Sequence, residues 1–242
     1  MKPDFYFMYK TFLLSLGALP VTFTISLSAL LVAAPLGFFM ALCVIYRVRV
    51  LRQVSALYIS FIRGTPMVLQ ILIVYSLLPS LLNGISKRMG WDINIFDINP
   101  IIYACVVFAL NNAALFAEIF RSALLAVDKA QHEAALAAGL SAAQSYVRII
   151  IPQALVSALP NICNLTVMLI KNTSLAFIMT VKDITATARI AASYSYNYVE
   201  AYLDIFVMYI VICGITQLLF NRLERRFTRQ TEPAVIKALR VR

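Results

Sequence analysis

Five long apolar runs constrain this chain more than any other feature of its sequence. They cover about 11–46, 54–83, 100–127, 155–181 and 202–221. Each is long enough for a helix that crosses the hydrocarbon core of a bilayer, which takes about 20 residues. A helix also bonds its backbone polar groups internally, as the absence of water in that core requires. The sequence therefore predicts an all-α integral membrane protein with about five transmembrane helices.

The charge content agrees with a membrane protein. Only 13% of the 242 residues are charged, whereas soluble domains have about 25%. The net charge of +10 would suggest nucleic acid in a soluble protein, but the basic residues stand in short runs between the apolar ones, as topology signals do. The first apolar run is too long for a cleavable signal peptide, so we expect it to remain as the first span.

The distribution of Lys and Arg predicts an orientation. If the first connection, the third connection and the C-terminal tail share one side, that side has 13 of the 21 basic residues and the other side has six, with Arg63 and Lys171 inside spans. Basic residues are enriched on the cytoplasmic side. We therefore expect the N-terminus outside and the C-terminus in the cytoplasm. The tail contributes seven of the 13, so the expectation depends on it.

A possible helix break lies within the second run, where Arg63 is followed by Gly64, Thr65 and Pro66. Gly64 loosens a helix, Thr65 can act as an N-cap, and Pro66 suits the first position of a new helix. A new N-terminus inside the membrane would present N–H groups to a carboxylate. Arg63, Gly64 and Thr65 are therefore candidate substrate-binding residues. The alternative is a kink at the interface from which Arg63 reaches the lipid headgroups.

A polar cluster lies in the latter half of the fourth run, at Lys171, Asn172, Thr173 and Ser174. Ionisable groups within spans are costly and usually functional. We predict that these residues contribute to substrate binding or translocation, with Lys171 a buried cation unless it is paired. A polar contact between helices, away from the pathway, is the alternative.

The third run contains polar residues at two levels. Asn111 and Asn112 are amides in its middle, and they would either bond neighbouring helices or face the substrate path. We retain Asn112 as a candidate translocation residue. Glu118 and Arg121 are three residues apart on one helical face, and we expect them to form a structural ion pair.

The third connection and its exit, residues 128–155, read DKAQHEAALAAGLSAAQSYVRIIIPQAL. Strong helix formers lead to Gly139, which can end a helix, and Ser141 can cap the next one. The segment therefore predicts two short helices joined by a glycine turn on the cytoplasmic face. Alanine side chains would let a partner approach the backbone closely, and Glu133 offers an anionic acceptor.

The spacing within this segment resembles the EAA motif of ATP-binding-cassette (ABC) importer permeases. The matching residues are Glu133, Ala134, Ala135, Gly139, Ile149, Ile151 and Pro152, with Ile151 where leucine is more usual. The resemblance implies a type I ABC importer permease fold. It also implies that 128–152 is a cytoplasmic coupling segment which docks into a groove on an ATPase subunit. Glu133, Ala134, Ala135, Gly139 and Pro152 are the coupling residues that it implies.

The resemblance covers nearly the whole chain, which implies a single permease domain over 1–242. Three segments are similar to the polar amino-acid subgroup: FIRGTPMVLQILIVY (61–75), AEIFRSALLAV (117–127) and IKNTSLAFI (170–178). Residues 97–135 are further similar to permeases for cystine and related sulfur amino acids, while basic amino acids, glutamine and glutamate remain alternatives. The chain departs from the usual residues of this family at two positions. Ala130 replaces a common glycine, and Asn172 replaces an acidic residue, which could alter the choice of substrate.

The same resemblance implies a set of partners in a bacterial cytoplasmic (inner) membrane. These are two ABC ATPase subunits that bind ATP and Mg²⁺, a second permease copy or close paralogue, and an extracytoplasmic amino-acid-binding protein. The chain itself is expected to be a multi-pass transport subunit that holds no cofactor and catalyses no reaction. Transport would proceed by alternating access.

Two other classes of function fit the sequence less well. An intramembrane hydrolase would need a Ser–His, paired-Asp or metal-ligand set, but His132 is the only histidine in the sequence and lies in the coupling segment. The four cysteines form no Cys-x-x-Cys pair, so no metal site is predicted. The other alternative is a secondary transporter or channel that is not driven by ATP. Many secondary transporters have inverted repeats, and none is visible here.

Overall fold

A computed structural model of the protein describes residues 4–91 and 95–239, with side chains as far as residue 228. All the regular structure in these ranges is helical. The α-helices are α1 (Phe5–Gly17), α2 (Leu19–Ile45), α3 (Arg49–Gly64), α4 (Met67–Arg88), α5 (Pro100–Ala126), α6 (Lys129–Ala137), α7 (Ala142–Ser145), α8 (Ile151–Asn172), α9 (Ile184–Ser195) and α10 (Tyr198–Leu239). Short 3-10 helices cover Ile95–Asp97 and Thr173–Met179, and a π-helical turn covers Tyr146–Ile150.

Five stretches of the described chain are long and apolar enough to cross a membrane, which confirms the predicted fold class. They are Phe5–Ile45, Met67–Arg88, Pro100–Ala126, Ala142–Met179 and Tyr198–Thr228. The first is interrupted at Ala18, between α1 and α2. The third, α5, is the most buried of the five, and α2, α3, α4 and α8 pack against it.

The second span differs from its prediction. The apolar run at 54–83 is divided between α3 and α4, and only α4 qualifies as a span. Pro66 lies directly before α4; proline has no N–H to donate and its ring opposes the preceding turn, so it favours a break between two helices there. The separate helix α3 has Arg49 and Arg52 in its first turn. Apolarity alone does not reveal where one helix ends and another begins.

The fourth connection also differs from its prediction, because Lys182–Ala201 contains the twelve-residue helix α9. Asp183 caps it by accepting a hydrogen bond from the Ala186 N–H at 2.8 Å. Ala188 and Ala192 of α9 are buried together with Ala201 of α10. The helix is short and rich in alanine and threonine, so it lacks the long apolar run used to recognise the spans.

The closest packing in the centre of the protein is between α2 and α5. Small residues recur every four positions on one face of α2, at Ala29, Ala33, Gly37 and Ala41, and all four are buried. Such a stripe lets two helix backbones approach closely in a membrane. The stripe lies along the buried face of α5, and Phe108 is fully buried in the same core. This contact provides the rigid centre on which the polar sites below are built.

Candidate functional site

The segment with the predicted motif forms a compact hook, which we define as α6, the turn at residues 138–141 and α7. Gly139 has φ of +86°, a backbone conformation that residues with a β-carbon disfavour. Its N–H bonds to the Leu136 carbonyl at 3.0 Å, and the Leu140 N–H bonds to the Ala135 carbonyl at 3.1 Å. These two bonds are the Schellman arrangement, which ends a helix and satisfies its last carbonyls. The chain reverses here because residue 139 is glycine.

The second half of the hook begins with a complete capping box. The Ser141 hydroxyl accepts from the Gln144 N–H at 3.2 Å, and the Gln144 side chain accepts from the Ser141 N–H at 2.9 Å. Reciprocal bonds of this kind satisfy two backbone donors that a helix start otherwise leaves open. The two short helices and the glycine turn are therefore present as expected.

The hook presents apolar side chains and charges of both signs, from Lys129 and Glu133. Glu133 and Ala134 are exposed, whereas Ala135 is buried against the rest of the hook. Leu136 of the hook and Val147 of the π-helical turn that follows it expose large apolar side chains, and Val147 is 65% exposed. Pro152, the last residue of the motif, lies at the start of α8. Of the coupling residues, Glu133 and Ala134 are therefore exposed to a partner, whereas Gly139 and Pro152 determine the path of the backbone.

A π-helical turn joins the hook to the fourth span. The Ile151 N–H bonds to the carbonyl of Tyr146, five residues earlier, just before Pro152. Proline at 152 cannot donate to a normal helical bond and its ring displaces the carbonyl four residues before it. The wider turn accommodates that ring while the chain continues into α8. Such turns are frequent at functional sites.

His132, which the motif analysis did not assign to any role, anchors the base of the hook. Its Nδ1 lies 2.8 Å from the Ser145 Oγ, and its ring centre lies 5.2 Å from that of Tyr146. Tyr146 in turn contacts Tyr46, at the end of α2, with ring centres 5.8 Å apart. A rigid contact therefore runs from the hook to the first span. The sequence signal for it was the only histidine of the chain, placed within the motif.

The predicted helix break is present at 64–66, but it is held differently from the prediction. Thr65 does not act as an N-cap; its hydroxyl donates to the Phe61 carbonyl at 2.9 Å and so closes the end of α3. Pro66 takes the N-cap position of α4. The reason is that Thr65 lies one residue too early to reach the first donors of α4, while the last carbonyls of α3 are within its reach.

Gln70, which sequence reasoning missed, bridges this break. Its buried side-chain amide donates to the Ile62 carbonyl at 3.0 Å and to the Thr65 hydroxyl at 2.8 Å. Its oxygen accepts from the Asn111 amide of α5 at 2.8 Å. One side chain thereby joins the two halves of the broken helix to the central helix. No residue pattern near Gln70 in the sequence predicts that its side chain bridges the break, since Ile62 lies eight residues earlier and Asn111 lies on another helix.

Three charged residues meet beside the break, on α3 and α5. Arg121 donates two hydrogen bonds to the Glu118 carboxylate, at 2.6 and 3.1 Å. Arg63 reaches the same carboxylate at 3.9 Å, with side-chain exposures of 50% for Arg63 and 35% for Glu118. These residues and Gly64 line a cavity of about 460 Å³ between α2, α3 and α5. The expected Glu118–Arg121 pair is thus part of a cluster with a net positive charge, which suits an anionic group in the cavity.

The cluster at 171–174 is not arranged as predicted. Lys171 is exposed at the end of α8 and is not a buried cation, so this expectation was wrong. Thr173 and Ser174 donate to the carbonyls of Ile170 and Lys171, at 2.7 and 2.8 Å, where the α-helix changes to a 3-10 helix. Among the described residues, no hydrogen bond or ion pair joins this cluster to Arg63. Its hydroxyls therefore satisfy backbone groups at a change of helix type.

Asn112 lies inside the helix bundle. It is 2% exposed, and its amide nitrogen donates to the Phe108 carbonyl at 2.8 Å. Its oxygen has no hydrogen-bond partner in the structure, which is costly for a buried polar atom. In this conformation Asn112 does not line the cavity beside the helix break, and its role in translocation stays a prediction. Within the described ranges, no group of three or more His, Cys, Asp or Glu is placed to hold a metal ion.

Comparison with known proteins identifies relatives over most of the chain. The chain is 37% identical to the L-cystine transport system permease protein TcyL of Bacillus subtilis (strain 168), over 87% of this chain and 86% of that protein. It is also 37% identical to the probable amino-acid permease protein YxeN of the same organism, over 93% and 96%. Among solved structures, "Crystal structure of an amino acid ABC transporter with histidines" has 30% identity and a TM-score of 0.77, covering 93% of this chain and 100% of that one.

A family match covers the hook, the helix break and the charged cluster together. Residues 33–229 match the family described as "Binding-protein-dependent transport system inner membrane component". The matched range extends from the middle of α2 into α10 and includes four of the five candidate spans entirely. On this match and the two relatives, the chain belongs to the family of ABC importer permeases, the inner-membrane components of binding-protein-dependent transport systems.

Proposed function

We propose that this permease imports a polar amino acid, and that ATP hydrolysis on partner subunits drives it through the hook. The observation that carries the proposal is the exposed hook, whose glycine turn and capping box present Glu133 and Ala134 outward. Leu136 of the hook and Val147, just after it, are exposed and supply apolar area for a docking groove. Its base contacts two different spans through His132, Tyr146 and Tyr46, so a displacement of the hook would move both.

The partners follow from this mechanism. Two ABC ATPases would bind ATP and Mg²⁺ and clasp the hooks of two permease copies, or of one copy and a close paralogue. A binding protein outside the cytoplasmic membrane would deliver the amino acid. The proposed orientation has the N-terminus outside and the C-terminus in the cytoplasm, because that arrangement has 13 basic residues on the cytoplasmic side and places the hook there.

The cavity beside the helix break is the proposed contact for the substrate carboxylate. Arg63 and Arg121 supply two guanidinium groups against the single carboxylate of Glu118, so the cavity can accept one further negative charge. Gly64 and Thr65 would contribute to substrate binding because they form the helix break beside this cavity. None of Lys171, Asn172, Thr173, Ser174 and Asn112 lines this cavity, so they would contact the substrate in another conformation of the transport cycle.

Cystine or a related sulfur amino acid is the favoured substrate. Similarity to the L-cystine permease TcyL supports this choice. The other named relative is a probable amino-acid permease, so the wider class is a polar amino acid. The direct measurement is uptake by vesicles that contain the whole transporter, with labelled cystine competed by basic, acidic and amide amino acids. Competition by sugars alone would contradict the amino-acid class.

Charge reversal on the hook tests the proposed coupling. Glu133→Lys should leave the protein inserted and folded but reduce transport-coupled ATP hydrolysis at least severalfold, because it places a cation where the ATPase groove receives an anion. Glu224→Lys on α10 is the matched control, since it makes the same charge change outside the hook. Equal coupled hydrolysis in both variants would contradict the coupling role of the hook.

A further inference from the structure

A groove lies between α1 and α9, away from the hook and the charged cavity. Phe7, Lys10, Thr11 and Leu14 line it from α1, and their spacing puts them on one helical face. The opposite wall is one face of α9, which includes Thr187 and Ile190, and Lys182 lies at the edge, just before that helix. The volume is about 500 Å³. The groove thus combines apolar walls, hydroxyl groups and two ammonium groups.

Among the described side chains, neither lysine of this groove, Lys10 or Lys182, forms an ion pair. Glu200 of α10, near the start of α1, accepts from the Asp4 N–H at 3.5 Å. The nearby acids in sequence are Asp4 and Asp183, and each carboxylate accepts a backbone N–H at the start of a helix, α1 and α9 respectively. Two cations facing one groove repel each other, and an anion between them would remove that repulsion.

The depth of the groove in the membrane follows from the spans on either side. Candidate spans begin at Phe5 and at Tyr198, so α1 and the end of α9 lie at the same membrane boundary. Exposed aromatic side chains surround this level: Phe5, Tyr6, Tyr9, Tyr194 and Tyr196, of which Tyr194 is 84% exposed. Tyrosine is enriched at the headgroup layer, where its ring is apolar and its hydroxyl is wet. The groove therefore opens at the depth of lipid phosphates.

We propose that this groove binds the phosphate headgroup of an anionic lipid, with Lys10 and Lys182 on the phosphodiester and the apolar walls against the upper acyl chain. The hydroxyls of Thr187 and Ser195 are available as donors to the phosphate oxygens. A free anion would use the lysines but not the apolar walls, which include Phe7, Leu14 and Ile190. The bound lipid would contact both α1 and α9, two helices that are far apart in the sequence.

The proposal is tested by lipid binding to the purified transporter in detergent, followed by native mass spectrometry. Short-chain phosphatidylglycerol should bind to the wild type more tightly than phosphatidylcholine. The variant K10Q/K182Q should bind phosphatidylglycerol on the order of tenfold more weakly, because each basic residue near an anionic headgroup contributes measurably. K87Q/R88Q is the matched control: it also removes two exposed positive charges, at the end of α4, outside the groove.

Each outcome decides the proposal. An equal loss in K87Q/R88Q, or no loss in K10Q/K182Q, would overturn it. Inorganic phosphate is the second ligand: if it raises the melting temperature of the wild type as much as the lipid does, the site takes a free anion and the lipid assignment is wrong. If K10Q/K182Q binds lipid normally but no longer binds the extracytoplasmic binding protein, the groove is a contact site for that protein instead. K10R/K182R keeps both charges and should bind lipid, which separates the loss of charge from misfolding.

Discussion

Gly37 of α2 lies so close to Phe116 of α5 that a β-carbon on Gly37 would stand 2.5 Å from the Cβ of Phe116. The same atom would lie 2.8 Å from the Ala117 nitrogen and 2.9 Å from the Ala113 oxygen. Two of these three neighbours are backbone atoms and the third is a β-carbon fixed by the backbone, so a rotamer change can move none of them. Gly37 therefore sets the distance between the first span and the central helix.

We expect Gly37→Ala to destabilise the protein by about 3 kcal/mol, at the upper end of the usual range for overpacking, because the helices have to separate. Gly214→Ala is the matched control, since a β-carbon there meets nothing within 4 Å, and alanine favours a helix over glycine by up to about 1 kcal/mol. Thermal unfolding in detergent measures both. Similar melting temperatures for the two variants would show that the α2–α5 contact is not as tight as described.

Gln70→Leu should lower the melting temperature, because it removes the side chain that bridges the helix break. The Ile62 carbonyl and the Asn111 amide would lose their partner, and a buried polar group without a bond costs about 1–3 kcal/mol. Gln217→Leu changes an exposed residue of α10 in the same way and should have little effect. The prediction fails if Gln70→Leu is as stable as the control.

Gly139→Ala should weaken coupling through the backbone of the hook alone. A β-carbon at 139 meets nothing within 4 Å, but the residue has φ of +86°, so alanine costs about 1–2 kcal/mol in the local turn. Gly90→Ala introduces the same kind of strain, at φ of +69° and in open space, but at the end of α4. Substrate-stimulated ATP hydrolysis by the assembled transporter should fall for Gly139→Ala only. A comparable fall for Gly90→Ala would point to a general effect of strain.

The stability contributed by Asp183 should depend on pH. Burial raises the pKa of the Asp183 carboxyl above its usual range, and hydrogen bonds from the Ala186 N–H and the Tyr209 hydroxyl oppose this shift only in part. The folded state therefore binds this proton more tightly than the unfolded state does, so the contribution is present at low pH and is lost as the pH rises through the folded-state pKa. Asp183→Asn keeps an acceptor for the N-cap and removes the titration.

The measurement for Asp183 is the difference in melting temperature between the wild type and Asp183→Asn across the acidic range. We expect the wild type to gain relative to the variant as the pH falls from neutral toward the usual aspartate range near 4. A difference that stays constant, or that changes in the opposite direction, would contradict a raised pKa.

Much of the fold and of the hook could be predicted from local sequence. Five apolar runs predicted five spans, and the glycine and serine of the hook predicted its turn and cap. Two errors have the same physical origin. The run at 54–83 was counted as one span although its helix break was predicted, and the helix α9 was missed, because mean apolarity does not record where a helix begins and ends. The boundaries depend on single residues such as Pro66 and Asp183.

The candidate site was predicted less completely than the hook. Arg63, Glu118 and Arg121 were identified as residues, but not as one cluster, since Arg63 and Glu118 are on different helices. Gln70 and His132 were not assigned, and Lys171 was expected to be buried but is exposed. In each case the residue contacts a partner that is distant in the sequence, or its exposure depends on how the helices pack.

The sequence by itself determined which segments enter the membrane, where the hook turns and which family the chain resembles. The spans and the turn arise from transfer free energies and hydrogen bonds within a few residues of each other, and the resemblance rests on the spacing of the motif residues. Only the tertiary structure decided that Arg63 meets Glu118, that Gln70 spans the helix break and that two lysines face one groove. Contacts of this kind depend on how close the helices approach, and that distance is set by small residues such as Gly37 in the packed interior.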